Sequence, residues 1–319
     1  MIQTKLAIIG VGHVGSQVLT DCSHLNLFSD IILIDSNKDT ARGEALDHRH
    51  ALAASYRTNS KIYAGDYADC ADADIIIISA GVSEKPRPGE DMPPRALMGK
   101  ENAIEIRKIM TGITRYTKDA IIILITNPVD TITYIAENEF NYPKGKIFGT
   151  GTTLDTFRYR QIVAAHYQVD PKNVSGYIMG EHGSTAFPAF SSTTVGALTL
   201  SQSDALLIPA IPLDQEFVSQ EVVHTASDVF NWKGWTNSGI GEVAAALARA
   251  VMLDEKSIFP VTATVNGLYN CHGEAAFSMP CIIGRNGLEK QIPLPLDNEE
   301  YEKLQLSIKD IQFTLQSVR

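Results

Sequence analysis

Four short apolar runs in the first half of the chain constrain its fold more than any other feature. Residues 6–9, 31–34, 75–78 and 121–125 are almost entirely aliphatic and rich in isoleucine. Such runs are typical of strands buried on both faces, as in a parallel sheet covered by helices. Helical patterns separate them, for example at 14–25 and 95–116. This alternation predicts an α/β fold with a Rossmann-type, doubly wound parallel sheet.

A glycine motif follows the first run directly. Gly10, Gly12 and Gly15 have the spacing G-x-G-x-x-G between a predicted strand and a predicted helix. The first glycine permits a tight turn, the second lets the backbone approach a pyrophosphate, and the third allows close packing of the helix on the strand. The helix N-terminus also favours a negative ligand. A tight turn that binds no ligand is the alternative.

Asp35 favours the cofactor interpretation. It lies twenty residues after Gly15, at the end of the second apolar run. A carboxylate in this position accepts hydrogen bonds from ribose hydroxyls and repels a 2′-phosphate, so we expect NAD rather than NADP. Capping of the next turn is the alternative role for Asp35.

The second half has a different character, which begins near residues 149–151. Helices are predicted at about 154–168, 215–230 and 240–254, and strands at 174–179, 258–265 and 277–283. Arg285-Asn286-Gly287 predicts a hairpin turn. Asp297, with Glu300 three residues later, predicts the capped start of a C-terminal helix that runs to Val318. We therefore expect a dinucleotide-binding domain at 1–148 and an α+β substrate domain at 149–319, closely packed.

Several polar residues are candidates for chemistry. His182 lies in the segment Gly-Glu-His-Gly, beside a bend that follows an apolar stretch. Asp155 and Arg158 are three residues apart and share one face of a predicted helix. Arg95 follows a stretch rich in proline and glycine, and Asn127 ends a buried strand at the sheet edge where ligands bind. Taken singly, a core histidine, a structural ion pair and a solvated loop charge are the ordinary alternatives.

Composition excludes several classes of function. The formal net charge is −10 and no polybasic block is present, which argues against binding to nucleic acids. The four cysteines have no C-x-x-C spacing, so we expect reduced thiols, a cytoplasmic location and no metal. No run of about 18 apolar residues occurs, and the first strand leads straight into the glycine motif, so neither a membrane span nor a signal peptide is expected.

Taken together, these segments resemble the L-lactate/malate dehydrogenase family over essentially the whole chain. The matching segments are Gly10-x-Gly12-x-x-Gly15, Asp35, Ser79-Ala80-Gly81, Arg95 with Asn102, Thr126-Asn127-Pro128-Val129-Asp130, Leu154-Asp155-x-x-Arg158, Gly180-Glu181-His182-Gly183 and Gly234-Trp235-Thr236. Details at 149–152, 174–177 and 281–285 are most similar to the L-2-hydroxyisocaproate dehydrogenases within that family.

The resemblance implies a role for each candidate. His182 is the expected acid/base, Asp155 orients its imidazole, and Arg158 holds the substrate carboxylate through two parallel hydrogen bonds. Arg95, on a loop expected to close over the site, polarises the reacting carbonyl, while Asn127 and Thr236 contact the substrate. The implied cofactor contacts are Gly10, Gly12, His13, Val14, Gly15, Asp35, Ala80, Gly81, Asn102, Thr126 and Asn127. A homodimer or homotetramer is also implied.

Two departures from the family pattern limit what the resemblance implies. The stretch 82–94 is longer than usual, so the residue that selects the substrate side chain falls on Glu84, Lys85, Pro86 or Arg87, and the sequence does not choose among them. Arg87 is either a solvated loop residue, which we prefer, or the second cation that a malate enzyme needs. Arg160 matches the arginine of the fructose-bisphosphate site of bacterial lactate dehydrogenases, but Ser175 replaces its histidine, which argues against such activation.

The leading interpretation is therefore an NAD-dependent L-2-hydroxy acid dehydrogenase. The closer resemblance favours medium or branched aliphatic 2-oxo acids such as 2-oxoisocaproate, followed by lactate and then malate. Two alternatives come from other classes. An NAD-dependent glycosidase needs a metal held by cysteine and histidine, and only Cys271-His272 offers such a pair. A catalytically silent NAD-binding sensor would bind the cofactor without turnover.

Overall fold

The computed structural model describes residues 3–54, 56–82 and 95–319, of which 95–98 are described as backbone only. The α-helices in this part of the chain are α1 (His13–His24), α2 (Lys38–Ala51), α3 (Arg95–Ile113), α4 (Val129–Asn138), α5 (Thr153–Tyr167), α6 (Leu200–Leu206), α7 (Gln215–Lys233), α8 (Ser238–Met252) and α9 (Asn298–Ser317). The β-strands are β1 (Lys5–Ile9), β2 (Asp30–Ile34), β3 (Lys61–Ala64), β4 (Ile75–Ile78), β5 (Ile121–Leu124), β6 (Ile147–Gly149), β7 (Val174–Ser175), β8 (Ile178–Met179), β9 (Phe187–Pro188), β10 (Thr194–Val195), β11 (Leu198–Thr199), β12 (Ser257–Thr264), β13 (Ala276–Gly284) and β14 (Gly287–Gln291).

The first half forms a parallel sheet in the order β3-β2-β1-β4-β5-β6. This is the strand order of a doubly wound dinucleotide-binding fold, in which ligands bind where the order reverses, here between β1 and β4. The predicted apolar runs form β1, β2, β4 and β5, so the predicted fold class is confirmed. All four strands are buried along their full length.

Successive residues of one strand enter two different apolar cores. Leu6 and Ile8 belong to the core on one face of the sheet, whereas Ala7 and Ile9 belong to the core on the other face. Side chains of a strand alternate between the two faces, so both faces here are covered. This explains why the sequences of these strands are continuous apolar runs and do not alternate between apolar and polar residues.

The antiparallel strands of the second half extend the same sheet. Strand β12 joins β6 through the pair Thr262 and Gly149, and β13 and β14 follow outward. The central sheet therefore continues across the boundary expected near residue 149. The predicted helices of this half form α5, α7 and α8, with ends that differ from the prediction by three residues or fewer. Boundaries of this kind are the least certain part of a sequence-based prediction.

The single strand predicted at 174–179 is wrong. The chain forms β7, which pairs with β10, and then β8, which pairs with β9 in a separate small sheet. Gly176 lies between the two, where a Cβ atom would come within 2.7 Å of Thr193 and Tyr159 side-chain atoms. This break was not predictable, because an apolar pattern contains no information about which strand is the pairing partner.

The predicted hairpin turn and the predicted helix cap are both present, but the conformation of the turn differs from the expectation at one residue. Strands β13 and β14 form the predicted hairpin, but of Asn286 and Gly287 only the glycine has a positive φ, at 87°. The glycine follows the turn, as in hairpins with a bulge after the tip. Asp297 and Glu300 form the predicted capping box at the start of α9.

Within the described residues, no helix combines the length and the apolar character that crossing a membrane requires.

Candidate active site

The glycine loop lies between β1 and α1 and has the geometry that its spacing predicted. Gly10 has φ of 87°, and a Cβ atom there would lie 2.5 Å from the Ala80 backbone. A Cβ at Gly15 would lie 1.9 Å from the Gly10 carbonyl oxygen, so α1 packs against the turn as only glycine allows. Around Gly12, by contrast, a Cβ atom would meet nothing within 4 Å. The loop is therefore closed on the protein side and open where a dinucleotide would approach, at the N-terminus of α1.

Asp35 is positioned beside this loop at the end of β2. Its Oδ2 accepts the Val11 backbone N–H at 2.8 Å, and its Oδ1 accepts the Asn37 N–H at 2.8 Å. One carboxylate thus connects the glycine loop to the turn before α2. A carboxylate oxygen has more than one lone pair, so these bonds leave acceptor capacity for ribose hydroxyls.

A second group of predicted cofactor residues meets at the ends of β4 and β5. Asn102 accepts the Val82 N–H at 2.7 Å and donates to the Asn127 carbonyl at 2.7 Å. Thr126 donates to the Ala80 carbonyl at 2.6 Å. A Cβ at Gly81 would lie 2.6 Å from the Thr126 methyl group. These residues hold together the carboxyl ends of β4 and β5, on one side of the glycine loop.

The structure brings His182, Asp155 and Arg158 into one cluster. Imidazole Nδ1 of His182 lies 2.7 Å from Asp155 Oδ2, and Arg158 Nη1 donates to Asp155 Oδ1 at 2.8 Å. An ionised carboxylate only accepts, so Nδ1 carries the hydrogen and donates it to Asp155. This contact assigns the tautomer, and Nε2 is the ring nitrogen that does not bond to Asp155.

The charge state of Asp155 follows from its two neighbours, His182 and Arg158. Burial alone would raise the pKa of this carboxyl, but the charges and hydrogen bonds of His182 and Arg158 outweigh burial and hold the pKa below its ordinary value. Asp155 is therefore ionised at neutral pH. A buried carboxylate in this position stabilises a protonated imidazole beside it.

Asp130, to which the sequence analysis assigned no role, supports the backbone of the loop at 180–185 that carries His182 (the His182 loop). Its Oδ2 accepts the His182 N–H at 2.7 Å, and its Oδ1 accepts the Thr262 hydroxyl at 2.5 Å. Burial raises the pKa of Asp130 to about 6, while the hydrogen bonds from Thr262 and His182 act in the opposite direction. The signal for this residue was present in the segment Thr126–Asp130, which was matched to the family without a separate role for its last residue.

Replacing Asp130 by asparagine should change how stability depends on pH. The unfolded carboxyl titrates near 3.8 and the folded one near 6, so the native state holds the proton more tightly between these values. Stability from this group is complete below the lower pKa and is lost as pH rises through the upper one. The unfolding free energy of the unmodified protein minus that of Asp130→Asn should therefore fall by about 2 kcal/mol from pH 4 to pH 7.

Urea unfolding at fixed protein concentration measures this difference. Asp119→Asn is the matched control, because the Asp119 side chain is 98 % exposed. A difference that stays level over the same pH range would show that burial does not perturb Asp130.

Helix α9 supports the His182 loop from a second side. The Ser307 hydroxyl accepts the Glu181 N–H at 3.2 Å and donates to the Thr185 carbonyl at 2.6 Å. A Cβ at Gly180, which has φ of 89°, would lie 2.5 Å from the same hydroxyl oxygen. The C-terminal helix thus fixes the residues that flank His182. Ser307 is distant in sequence from His182, and no motif in the sequence connects the two residues.

Thr236 lies in the short turn between α7 and α8. Gly234 ends α7 in the left-handed conformation, with φ of 85°, and Asn237 precedes α8. The preceding residue, Trp235, stacks on His13 of the glycine loop, with ring centroids 4.0 Å apart. The turn that carries Thr236 therefore touches the proposed cofactor site.

Other predicted residues lie elsewhere or outside the described residues. Arg95 begins α3, but its side chain lies outside the described residues, as do Glu84, Lys85, Pro86 and Arg87. Arg160 donates to the Gly176 carbonyl at 3.2 Å, and its guanidinium lies over the Tyr177 ring. Among the described residues, no group of three or more histidine, cysteine, aspartate or glutamate side chains is arranged to hold a metal ion.

Comparison with known proteins connects this site to one family. The lactate/malate dehydrogenase NAD-binding domain matches residues 4–149, and the lactate/malate dehydrogenase α/β C-terminal domain matches residues 152–318. An L-lactate dehydrogenase 2 of Clostridium acetobutylicum is 43% identical over 98% of this chain and 96% of its own length. The L-lactate dehydrogenase of Selenomonas ruminantium is 40% identical over the same shares of the two chains.

Solved structures agree with these relatives. A lactate dehydrogenase from a Medee basin deep-sea metagenome library has a TM-score of 0.91 and 29% identity, over 100% of this chain and 99% of its own. The minor L-lactate dehydrogenase of Enterococcus mundtii, in a ligand-bound form, has a TM-score of 0.91 and 31% identity, over 99% of both chains. The chain therefore belongs to the lactate/malate dehydrogenase family and is an NAD-dependent oxidoreductase that acts on the CH–OH group of 2-hydroxy acids.

Proposed function

We propose that this enzyme interconverts pyruvate and L-lactate. The names of the similar proteins favour lactate, which was the second choice of the sequence analysis, over 2-oxoisocaproate. The observation that carries the proposal is the cluster of His182, Asp155 and Arg158, which offers a proton donor beside a guanidinium. A 2-oxo acid needs both, because its carboxylate requires a cation and its carbonyl oxygen requires a proton.

In the proposed reduction, His182 donates its Nε2 proton to the carbonyl oxygen of the 2-oxo acid. Asp155 holds the ring through Nδ1 and stabilises the protonated form before transfer. Arg158 uses Nη1 for Asp155, and its other guanidinium nitrogens hold the substrate carboxylate. When bound, NADH supplies the hydride that the substrate accepts at C2. The proton and hydride together convert the carbonyl to an alcohol, and oxidation reverses both transfers.

The remaining roles belong to the same proposal. Arg95 polarises the reacting carbonyl, Asn127 hydrogen-bonds the substrate oxygen or orients the nicotinamide, and Thr236 lines the substrate pocket. Cofactor contacts are proposed at Gly10, Gly12, His13, Val14, Gly15, Asp35, Ala80, Gly81, Asn102, Thr126 and Asn127. The open space at Gly12 and the placement of Asp35 support these contacts. A division at residues 1–148 and 149–319, a cytoplasmic location and a homodimer or homotetramer stay predictions.

A panel of 2-oxo acids tests the substrate. Oxidation of NADH should give the highest kcat/KM with pyruvate, compared with oxaloacetate, 2-oxobutyrate, 2-oxoisocaproate and phenylpyruvate. Apolar pockets discriminate single methylene groups by about 10- to 200-fold, so pyruvate should exceed 2-oxoisocaproate by at least about tenfold. A maximum at 2-oxoisocaproate would restore the first interpretation of the sequence, and a maximum at oxaloacetate would identify a malate enzyme. Tight NADH binding without turnover of any member would favour the sensor.

Replacing Asp35 by alanine should weaken the preference for NADH over NADPH. The carboxylate accepts hydrogen bonds from the ribose hydroxyls and repels a 2′-phosphate, and alanine does neither. We expect the ratio of kcat/KM values for the two cofactors to fall by about tenfold or more, which corresponds to loss of one charge-assisted contact. Asp39→Ala is the matched control, since Asp39 is an exposed acid in the first turn of α2. An unchanged ratio in Asp35→Ala would assign cofactor selection to another residue.

A further inference from the structure

The turn between α7 and α8 joins the cofactor side of the site to the catalytic side. On the cofactor side, the Trp235 indole lies parallel to the His13 imidazole, with centroids 4.0 Å apart and ring planes inclined by 4°. This is face-to-face van der Waals contact between two aromatic rings. His13 is the first residue of α1 and follows Gly12, the open position of the glycine loop.

A hydrogen bond reinforces the stacking contact one turn further along α1. Asn237, the residue before α8, donates to the Gln17 side chain at 3.3 Å. Gln17 in turn donates to Asp21 at 2.9 Å on the same helix. Residues 235 and 237 are thus both held by α1, and Thr236 lies between them.

On the catalytic side, the N-terminal end of α8 packs against α5, the helix that carries Asp155. A Cβ atom at Gly239 would lie 2.7 Å from the Leu154 side chain, so the first turn of α8 packs on the start of α5 without free space. Leu154 immediately precedes Asp155. A displacement of the turn at 234–237 therefore changes the distance between Thr236 and the catalytic cluster.

We propose that His13 and Trp235 form a positioning pair that couples cofactor binding to the affinity for the 2-oxo acid. A dinucleotide phosphate at the N-terminus of α1 fixes the His13 ring, the ring fixes Trp235, and Trp235 fixes the adjacent Thr236 against the substrate. Neither ring takes part in the chemistry. The inference rests on the proposed function, because it assumes that the substrate lies beside Thr236.

Coupling of this kind has a defined signature in variants. If the two rings act only through each other, removing either ring abolishes the full contribution of the pair to the affinity for the oxo acid. Removing both rings then has no larger effect than removing one. The cofactor and the oxo acid must also influence each other's binding by the same factor. A stacked aromatic pair corresponds to about a three- to tenfold change in an equilibrium constant.

The experiment is a double-mutant cycle in the full-length enzyme with pyruvate and saturating NADH. His13→Ala and Trp235→Ala should each raise the KM for pyruvate by about three- to tenfold, with a smaller change in kcat. The double variant should raise KM by the same factor as either single variant. Trp235→Phe, which keeps a flat ring on His13, should restore the KM of the unmodified enzyme.

A spectroscopic readout tests the contact without turnover. The chain has two tryptophans, and Trp232 is 82 % exposed, so Trp232→Phe leaves Trp235 as the only tryptophan. In that background, His13→Ala should increase collisional quenching of Trp235 by acrylamide, because one face of the indole loses its cover. The control Trp232→Ala, at the end of α7, should leave the KM for pyruvate unchanged.

The outcomes separate this inference from the proposed function. Absence of pyruvate turnover in the unmodified enzyme refutes the proposed function. Turnover with single-variant effects that multiply in the double variant refutes the coupling alone. Unchanged KM in both single variants, or quenching that His13→Ala does not alter, also overturns the positioning pair.

Discussion

His182→Asn should lower kcat for pyruvate reduction by about 100- to 10,000-fold, the range over which a positioned acid or base contributes to catalysis. The asparagine side chain can occupy the space near Asp155 and donate a hydrogen bond, but its amide does not ionise at neutral pH and so cannot transfer a proton to the carbonyl oxygen. The Kd for NADH should change little, because the proposed cofactor contacts are made by the glycine loop and Asp35 and not by His182. Steady-state kinetics and NADH fluorescence titration measure the two quantities.

His272→Asn is the matched control, since it makes the same change at an exposed histidine in another segment. Its kcat should equal that of the unmodified enzyme. Two results would contradict the assignment of His182 as the acid. The first is turnover in His182→Asn within tenfold of normal, and the second is loss of NADH binding, which would make the residue structural.

The sheet was predictable because its physical cause is local. An isoleucine run that is buried on both faces leaves a continuous apolar signal, and β1, β2, β4 and β5 each carry one. The glycine loop was also predictable, since each glycine answers a steric demand within a few residues. The demand at Gly15, where a Cβ atom would strike the Gly10 carbonyl, is the clearest case.

The supporting contacts of the site were not predictable, because they join residues that are distant in sequence. Asp130 reaches His182 across 52 positions, and Ser307 reaches Glu181 across 126. The stack of Trp235 on His13 is of the same kind. A single sequence does not show which distant residues are in contact. It therefore indicates the chemical groups of the candidate site but not the residues that hold these groups in place. The choice among residues 84–87 stays open for another reason, because they lie outside the described residues.

Arg158→Lys should raise the KM for pyruvate by about 10- to 100-fold, with a smaller effect on kcat. The guanidinium already gives Nη1 to Asp155 and still has a planar edge for a carboxylate. Lysine keeps the positive charge but lacks the planar pair of donors, so it makes one point contact where arginine makes two parallel hydrogen bonds. A hydrogen bond to a charged group contributes about 1.5–3 kcal/mol, which corresponds to the expected factor.

Arg160→Lys provides the comparison on the same helix. Arg160 is two residues further along α5, on a different face, where it contacts Gly176 and Tyr177 instead of Asp155. The KM for pyruvate should therefore stay near that of the unmodified enzyme in this variant. If Arg158→Lys leaves KM unchanged, Arg158 does not hold the substrate carboxylate. If kcat falls as much as KM rises, Arg158 acts through Asp155 and His182, because the substitution also removes the guanidinium hydrogen bond to Asp155 that helps to hold the pKa of this carboxyl down.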